Sequence, residues 1–129
     1  MVTDSIADML TRIRNAVRAK QVQTVVPYSK LKKSLADLLL ATGYIGGVQV
    51  VGEAKKLIQI QLKYKDDASV LTDLKRISKP GQRIYLSATR IPRTSSGYGI
   101  TVVSTSQGLM TDAQARKAKV GGEVICQVW

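Results

Sequence analysis

A chain of 129 residues with 20 Lys and Arg against 9 Asp and Glu carries a formal charge of +11. It has no His and a single Cys, Cys126, which excludes an internal disulfide, a cysteine zinc site and any triad that needs an imidazole. The length suits one compact domain or two small ones, and the charge suits a polyanionic partner.

The first segment, 3–18, spaces Ile6, Met9, Leu10, Ile13 and Val17 along one helical face. Thr3 is the expected N-cap, and Asp8 with Arg12 forms a favourable pair four apart. Arg12, Arg14 and Arg18 share the remaining surface. An acidic residue inside this first helix argues against a signal peptide. The β-branched run 22–27 predicts a strand that ends, or lies at an edge, at Pro27. Ser29 then caps a helix over 30–41 with a stripe of Leu31, Leu35, Leu38 and Leu39, stopped by Gly43. The apolar stretch 35–45 is too short to span a membrane. Gly46 and Gly47 lead into a strand over 48–51. After a turn at 52–56, residues 57–63 alternate strictly, which predicts a half-buried antiparallel strand and a hairpin.

Lys65-Asp66-Asp67 is the most polar break, and a domain boundary is expected there. The reading is therefore an N-terminal α-β-α-β-β domain, 1–66, and a C-terminal domain, 67–129. The second is expected to be mainly β with one short helix. Its segments 70–78 and 82–86 flank Lys79-Pro80-Gly81, whose Pro-Gly centre predicts a type II turn. Residues 89–99 read as a loop and 100–104 as a strand. Thr111 and Gln114 form a capping-box pattern that opens a helix over 111–119. Gly121-Gly122 ends it, and 123–128 is a closing strand with Val124, Cys126 and Val128 on one face. Cys126 is expected to be a buried small hydrophobe. The fold class is α+β.

Three groups of residues carry the chemistry. Lys30, Lys32 and Lys33 open the second helix, where cations are electrostatically disfavoured. Lys55-Lys56 sits on a hairpin tip, Lys75, Arg76, Lys79 and Arg83 surround the Pro-Gly turn, and Arg90 and Arg93 flank a loop. A solvated face is the plain reading of each; their recurrence with few acids favours nucleic acid. The second group, Ser104-Thr105-Ser106-Gln107-Gly108, reads as a strand-to-helix loop. Its hydroxyls can donate and accept, matching phosphate, ribose and base edges. The third is Gly121-Gly122-Glu123, where a carboxylate can accept from base amino groups or hold a cation. Six aromatics, among them Tyr85 and Tyr98, are too few for a single-strand stacking platform. Structured RNA fits better. No cofactor or metal is expected. An enzyme using a Ser-Lys or carboxylate pair, and a non-specific polyanion or membrane-surface binder, are the alternatives.

Several blocks of the chain resemble a known family. They are Asp8-Met-Leu-Thr-Arg-Ile-Arg-Asn15, Tyr28-Ser-Lys30 and Arg76-Ile-Ser-Lys-Pro-Gly-Gln-Arg-Ile-Tyr85. Gly99-Ile-Thr-Val-Val-Ser-Thr-Ser-Gln-Gly-Leu-Met-Thr-Asp112 and Gly121-Gly-Glu-Val-Ile-Cys126 complete the set. Together they resemble the bacterial form of the eighth protein of the small ribosomal subunit, from end to end. The resemblance implies a cytoplasmic, non-enzymatic, two-domain α+β protein that binds the central domain of 16S rRNA and helps organise its assembly. It also implies neighbouring small-subunit proteins as partners and, in some bacteria, repression of the protein's own operon messenger. By motif position Ser104, Thr105 and Ser106 are the central contact loop, lined by Tyr85, Gly121, Gly122 and Glu123. Arg83 joins them from the basic cluster. Lys30 and Lys55 are the phosphate candidates, with Arg14 and Asn15 in support. The segment 93–98 and Trp129 have no assigned role.

Overall fold

The computed structural model describes residues 4–94 and 98–129. The expected cap Thr3 and residues 95–97 of the 93–98 segment lie outside them. The chain divides into two compact units: residues 6–72, and residues 73–129 together with Asp4 and Ser5. Both mix helix and sheet, so the fold class is α+β.

In the first unit, α1 (Ser5–Arg18) buries Ile6, Met9, Leu10 and Ile13. Asp8 and Arg12 pair on its outer face at 3.0 Å. Strand β1 (Gln23–Pro27) follows. The hydroxyl of Ser29 accepts from the Lys32 N–H at 3.2 Å and opens α2 (Lys30–Ala41), which buries Leu35, Ala36 and Leu39. Gly43 follows the helix end at φ +85°. Strands β2 (Ile45–Val51) and β3 (Leu57–Leu62) complete an antiparallel sheet in the order β1-β3-β2. The alternation in β3 sends Ile58, Ile60 and Leu62 into the core. Gly46 and Gly47 do not precede β2; they lie inside it, at a register shift between Ile45 and Gly47. Glycines commonly mark such bulges.

The polar break at 65–67 is itself a turn. Strands β4 (Tyr64–Lys65) and β5 (Ala68–Ser69) pair across Asp66 and Asp67, at φ 53° and 64°. Two central residues with positive φ make a tight hairpin, and Asp tolerates that conformation.

The second unit is organised by β10 (Gly122–Val128). One edge of β10 pairs with β6 (Leu74–Arg76) through Cys126, Gln127 and Val128, and with β7 (Tyr85–Leu86) through Gly122 and Glu123. The other edge pairs with β8 (Ile100–Thr105), which pairs in turn with β9 (Gly108–Thr111). The chain between β6 and β7 leaves the sheet through a turn closed by Lys79 and Gln82. Pro80 and Gly81 are its central residues. Gly81 does not adopt the positive φ that a type II turn requires, so the expected turn type is corrected; Pro serves position two of a type I turn equally well. A 3-10 helix, η1 (Ala88–Arg90), follows β7.

Residues 104–108 are not a strand-to-helix loop but the tip of the β8-β9 hairpin. Ser106 and Gln107 bridge Thr105 and Gly108, and Gly108 sits at φ +105°. A positive-φ glycine closing such a turn suits the twist of the flanking strands. Strand β9 then leads into α3 (Asp112–Ala118) through the expected capping box. The Gln114 N–H donates to the Thr111 hydroxyl at 3.2 Å, and the Gln114 amide oxygen accepts from the Thr111 N–H at 2.9 Å. Helix α3 covers Val103 together with Ile91, Ala115, Met110 and Val120. Elsewhere in the unit Arg76 pairs with Asp4 at 3.0 Å and donates to the Ile125 carbonyl at 2.7 Å.

Strand β10 carries a further correction. Its register shifts between Val124 and Cys126, which pair with Val103 and Val102 respectively. Successive residues of β8 point to opposite faces, so Val124 does not share a face with Cys126 and Val128. All three are fully buried nonetheless, because both faces of the sheet are covered there.

A Cβ on Gly122 would overlap the carbonyl oxygen of Ser104 and lie 2.9 Å from its carbon. Gly122→Ala is therefore expected to cost about 3 kcal/mol, as overpacking against rigid backbone does. Gly81 has an ordinary φ, and nothing lies within 4 Å of the place a methyl group would take, so Gly81→Ala should gain up to about 1 kcal/mol. Urea midpoints of the two variants check this pair; a parental midpoint for Gly122→Ala contradicts the packing.

Candidate nucleic-acid interface

The register of the second sheet brings four residues into one row. Tyr85 lies opposite Glu123, Glu123 opposite Ser104, and Ser104 opposite Leu109. Residues directly opposite across a sheet share a face. Three residues singled out in the sequence, far apart along the chain, therefore meet on one surface. Tyr85 is 65% exposed. Ser106 is exposed at the hairpin tip beyond the row.

The three hydroxyls of the tip are not equivalent. Thr105 donates to the Gly108 carbonyl at 2.9 Å and accepts from the Gln107 N–H at 3.0 Å. Its hydroxyl is the turn's own brace. Among the described residues no hydrogen bond engages the hydroxyls of Ser104 or Ser106. Those two groups are the ones with donor and acceptor capacity to offer.

Gly121 and Gly122 sit beside these residues for a reason internal to the sheet. A Cβ on Gly121 would overlap the Leu86 carbonyl oxygen at the end of β7, as one on Gly122 would overlap Ser104 in β8. Their missing side chains let both neighbours close on β10.

Glu123 is engaged within the protein. The Ser78 hydroxyl donates to its carboxylate at 2.6 Å, and the Arg83 guanidinium donates to both its oxygens at 3.2 and 3.3 Å. Its side chain is only 12% exposed, that of Arg83 53%. The carboxylate thus holds a cation, and the cation is an arginine half in solvent. The row presents an aromatic ring, a planar guanidinium and two available hydroxyls. Such a set can stack on a base, grip a phosphate and bond a ribose hydroxyl.

The first unit sorts its lysines sharply. Lys32 is buried, and Lys33 pairs with Asp37 at 2.8 Å. Lys30 alone of the trio is exposed. Lys55 is exposed on the β2-β3 turn, and Lys56 lies 5.8 Å over the Tyr28 ring. The Tyr28 N–H donates to the Lys56 carbonyl at 3.1 Å, and Pro27 pairs with Leu57. Lys30 and Lys55 therefore emerge at the same end of this sheet. Arg14 is half-buried on α1 and already has a partner, whereas Asn15 is exposed there. No cluster of three or more metal-ligating His, Cys, Asp or Glu occurs among the described residues. No described helix is long and apolar enough to cross a membrane.

The sequence reading missed Ser78. A lone serine before a Lys-Pro-Gly turn carries no signal until β6 and β7 are placed on the same edge of β10.

The ribosomal protein S8 family model matches residues 4–129. The chain belongs to the ribosomal protein S8 family. A protein of Clostridioides difficile is 54% identical over 130 residues, spanning 99% of this chain and 98% of its own length. One of Finegoldia magna is 53% identical over 131 residues and full length in both. One of Mycoplasmopsis pulmonis is 50% identical over 130 residues, spanning 100% of this chain and 98% of its own. All three are named small ribosomal subunit protein uS8. The family resemblance in the sequence thus holds across both units.

Cys126, between these strands, is fully buried. Burial pushes its thiol from 9.0 up to about 12, against a smaller opposing pull from Arg76. The folded protein should resist a thiol reagent at pH 8 that labels it at once in urea. The native value lies above the unfolded one. The thiol's contribution to stability is therefore intact below pH 9 and is lost as pH rises toward 12, by at most about 1.4 kcal/mol per unit. Rapid labelling of the native state would contradict its burial.

Proposed function

We propose that this chain is a cytoplasmic structural constituent of the small ribosomal subunit and binds the central domain of 16S rRNA directly. The second unit, whose residues 73–129 overlap the domain expected over 67–129, reads the RNA. The first unit adds phosphate contacts through Lys30 and Lys55, with Arg14 and Asn15 in support. The protein acts by binding and not by turnover, alongside neighbouring small-subunit proteins. In this reading a similar fold in its own operon's messenger would meet the same surface.

The observation that supports this most is the row of Tyr85, Glu123 and Ser104, with Ser106 at its edge. It is a polar, half-exposed strip on the sheet of a strongly basic chain, and it carries two hydroxyls without internal partners. Phosphate contacts give affinity and salt dependence; groups that meet base edges and ribose hydroxyls give discrimination. Because Thr105 braces its own turn, the reading falls on Ser104 and Ser106.

Ser104→Ala combined with Ser106→Ala removes both hydroxyls and no charge. At about 0.5–1.5 kcal/mol for each hydrogen bond, a central-domain fragment should bind roughly 5- to 150-fold more weakly. The salt slope should not move. Lys30→Ala combined with Lys55→Ala should do the opposite, flattening the slope by roughly 2 and weakening matched and scrambled RNA alike. Filter binding across salt concentrations reads both. Parental affinity in the folded serine double variant would overturn the assignment of the contact surface.

A further inference from the structure

We infer that Ser78 is a positioning residue for RNA recognition, acting through Glu123 to hold the guanidinium of Arg83 at the edge of the Tyr85–Glu123–Ser104 row. The inference rests on the reading of that row as the RNA surface.

Ser78 has no solvent exposure, and its hydroxyl makes two hydrogen bonds of opposite sense. It accepts from the Ile84 N–H at 2.9 Å and donates to a Glu123 oxygen at 2.6 Å. A serine hydroxyl has one proton. Since the Ile84 N–H supplies its own, the hydroxyl proton is directed at the carboxylate. The group is therefore fixed in rotation as well as in place.

Both bonds bear on Arg83. The first closes the base of the segment from 78 to 84, which leaves the sheet and carries Arg83 next to its return point. The Val124 N–H bonds the Ile84 carbonyl at 2.9 Å beside it. The second fixes the carboxylate that the guanidinium grips. Without them an arginine that is half in solvent would sample many rotamers, and ordering it on binding would cost affinity. A carboxylate this buried also needs hydrogen bonds besides the ion pair. Ser78 supplies one from the inner side and leaves the outer side to Arg83. The result is a guanidinium pre-set for a phosphate or a base edge.

A purely structural serine would satisfy the Ile84 N–H and nothing more. The two roles separate in a double-mutant cycle on the full chain with a 16S central-domain fragment. S78A should weaken binding about tenfold, the upper end of the cost of ordering one rotamer-rich side chain on binding. In the R83Q background the same change should cost less than about twofold, because the group being positioned is gone. E123Q keeps the shape of the side chain but not its charge. It should reproduce both results, and it stands in if S78A unfolds. A full tenfold loss from S78A or E123Q in the R83Q background would overturn the inference, as would parental affinity of folded S78A. Parental affinity of R83Q would overturn it too. The serine pair Ser104 and Ser106 would then still decide the RNA surface separately.

Discussion

The second unit hangs on what is missing from β10. A strand paired on both edges normally keeps its neighbours apart by the width of ordinary ladder hydrogen bonding, with side chains projecting above and below. At Gly122 the backbone of β8 comes so close that a Cβ would overlap it, and at Gly121 the end of β7 does the same. That double approach lets a two-residue strand, β7, and the upper end of β8 pair with the same residue of β10, Glu123. Tyr85, Glu123 and Ser104 then have no freedom to lie anywhere but side by side. The bulge at Ile125 completes the arrangement. It turns Cys126 and Val128, which pair with Val102 and Ile100, to the face of the sheet that carries Glu123 and Ser104.

The charge of the chain is distributed by the same logic. Arg12, Lys33, Arg76, Arg83 and Arg116 each face a carboxylate. The exposed pairs at helical spacing contribute a few tenths of a kcal/mol each. Arg76 differs, since it is largely buried with Asp4 and also satisfies a backbone carbonyl. It holds the sheet and is not available to a polyanion. With nine acids and twenty bases in the sequence, most lysines are left facing solvent, where salt screens their mutual repulsion and a polyanion would relieve it further. A basic surface of this kind attracts RNA in general. In the proposed reading, discrimination falls to the groups of the polar row and the arginine held at its edge.

Periodicity and punctuation made most elements legible in the sequence. The stripe of α1, the Ser29 cap, the strict alternation of β3 and the Thr111–Gln114 capping box are local patterns, and local patterns survive folding. What stayed hidden depends on register. Gly46 and Gly47 look like a break until the bulge in β2 is known. Ser104 to Gly108 looks like a loop because β9 is short and its Leu109 and Met110 are flanked by Gly and Thr. Val124 and Cys126 look like neighbours on a face until a single extra residue intervenes. The candidate site shows the same division. Motif positions brought out Tyr85, Ser104 and Ser106, but only the packing distinguishes the engaged Thr105 hydroxyl from its neighbours. Only the packing turns Glu123 from a surface group into the holder of Arg83.

The central claim is that the polar row of the second sheet meets the RNA. Amide and side-chain NMR shifts of the full chain, followed as a 16S central-domain fragment is titrated in, test it most directly. The account predicts the largest changes at Arg83, Tyr85, Ser104 and Ser106. It predicts little change at Gln49, Gln59 and Gln61, which lie on the uncharged face of the first unit's sheet. Large changes on those glutamines with a silent row would contradict it.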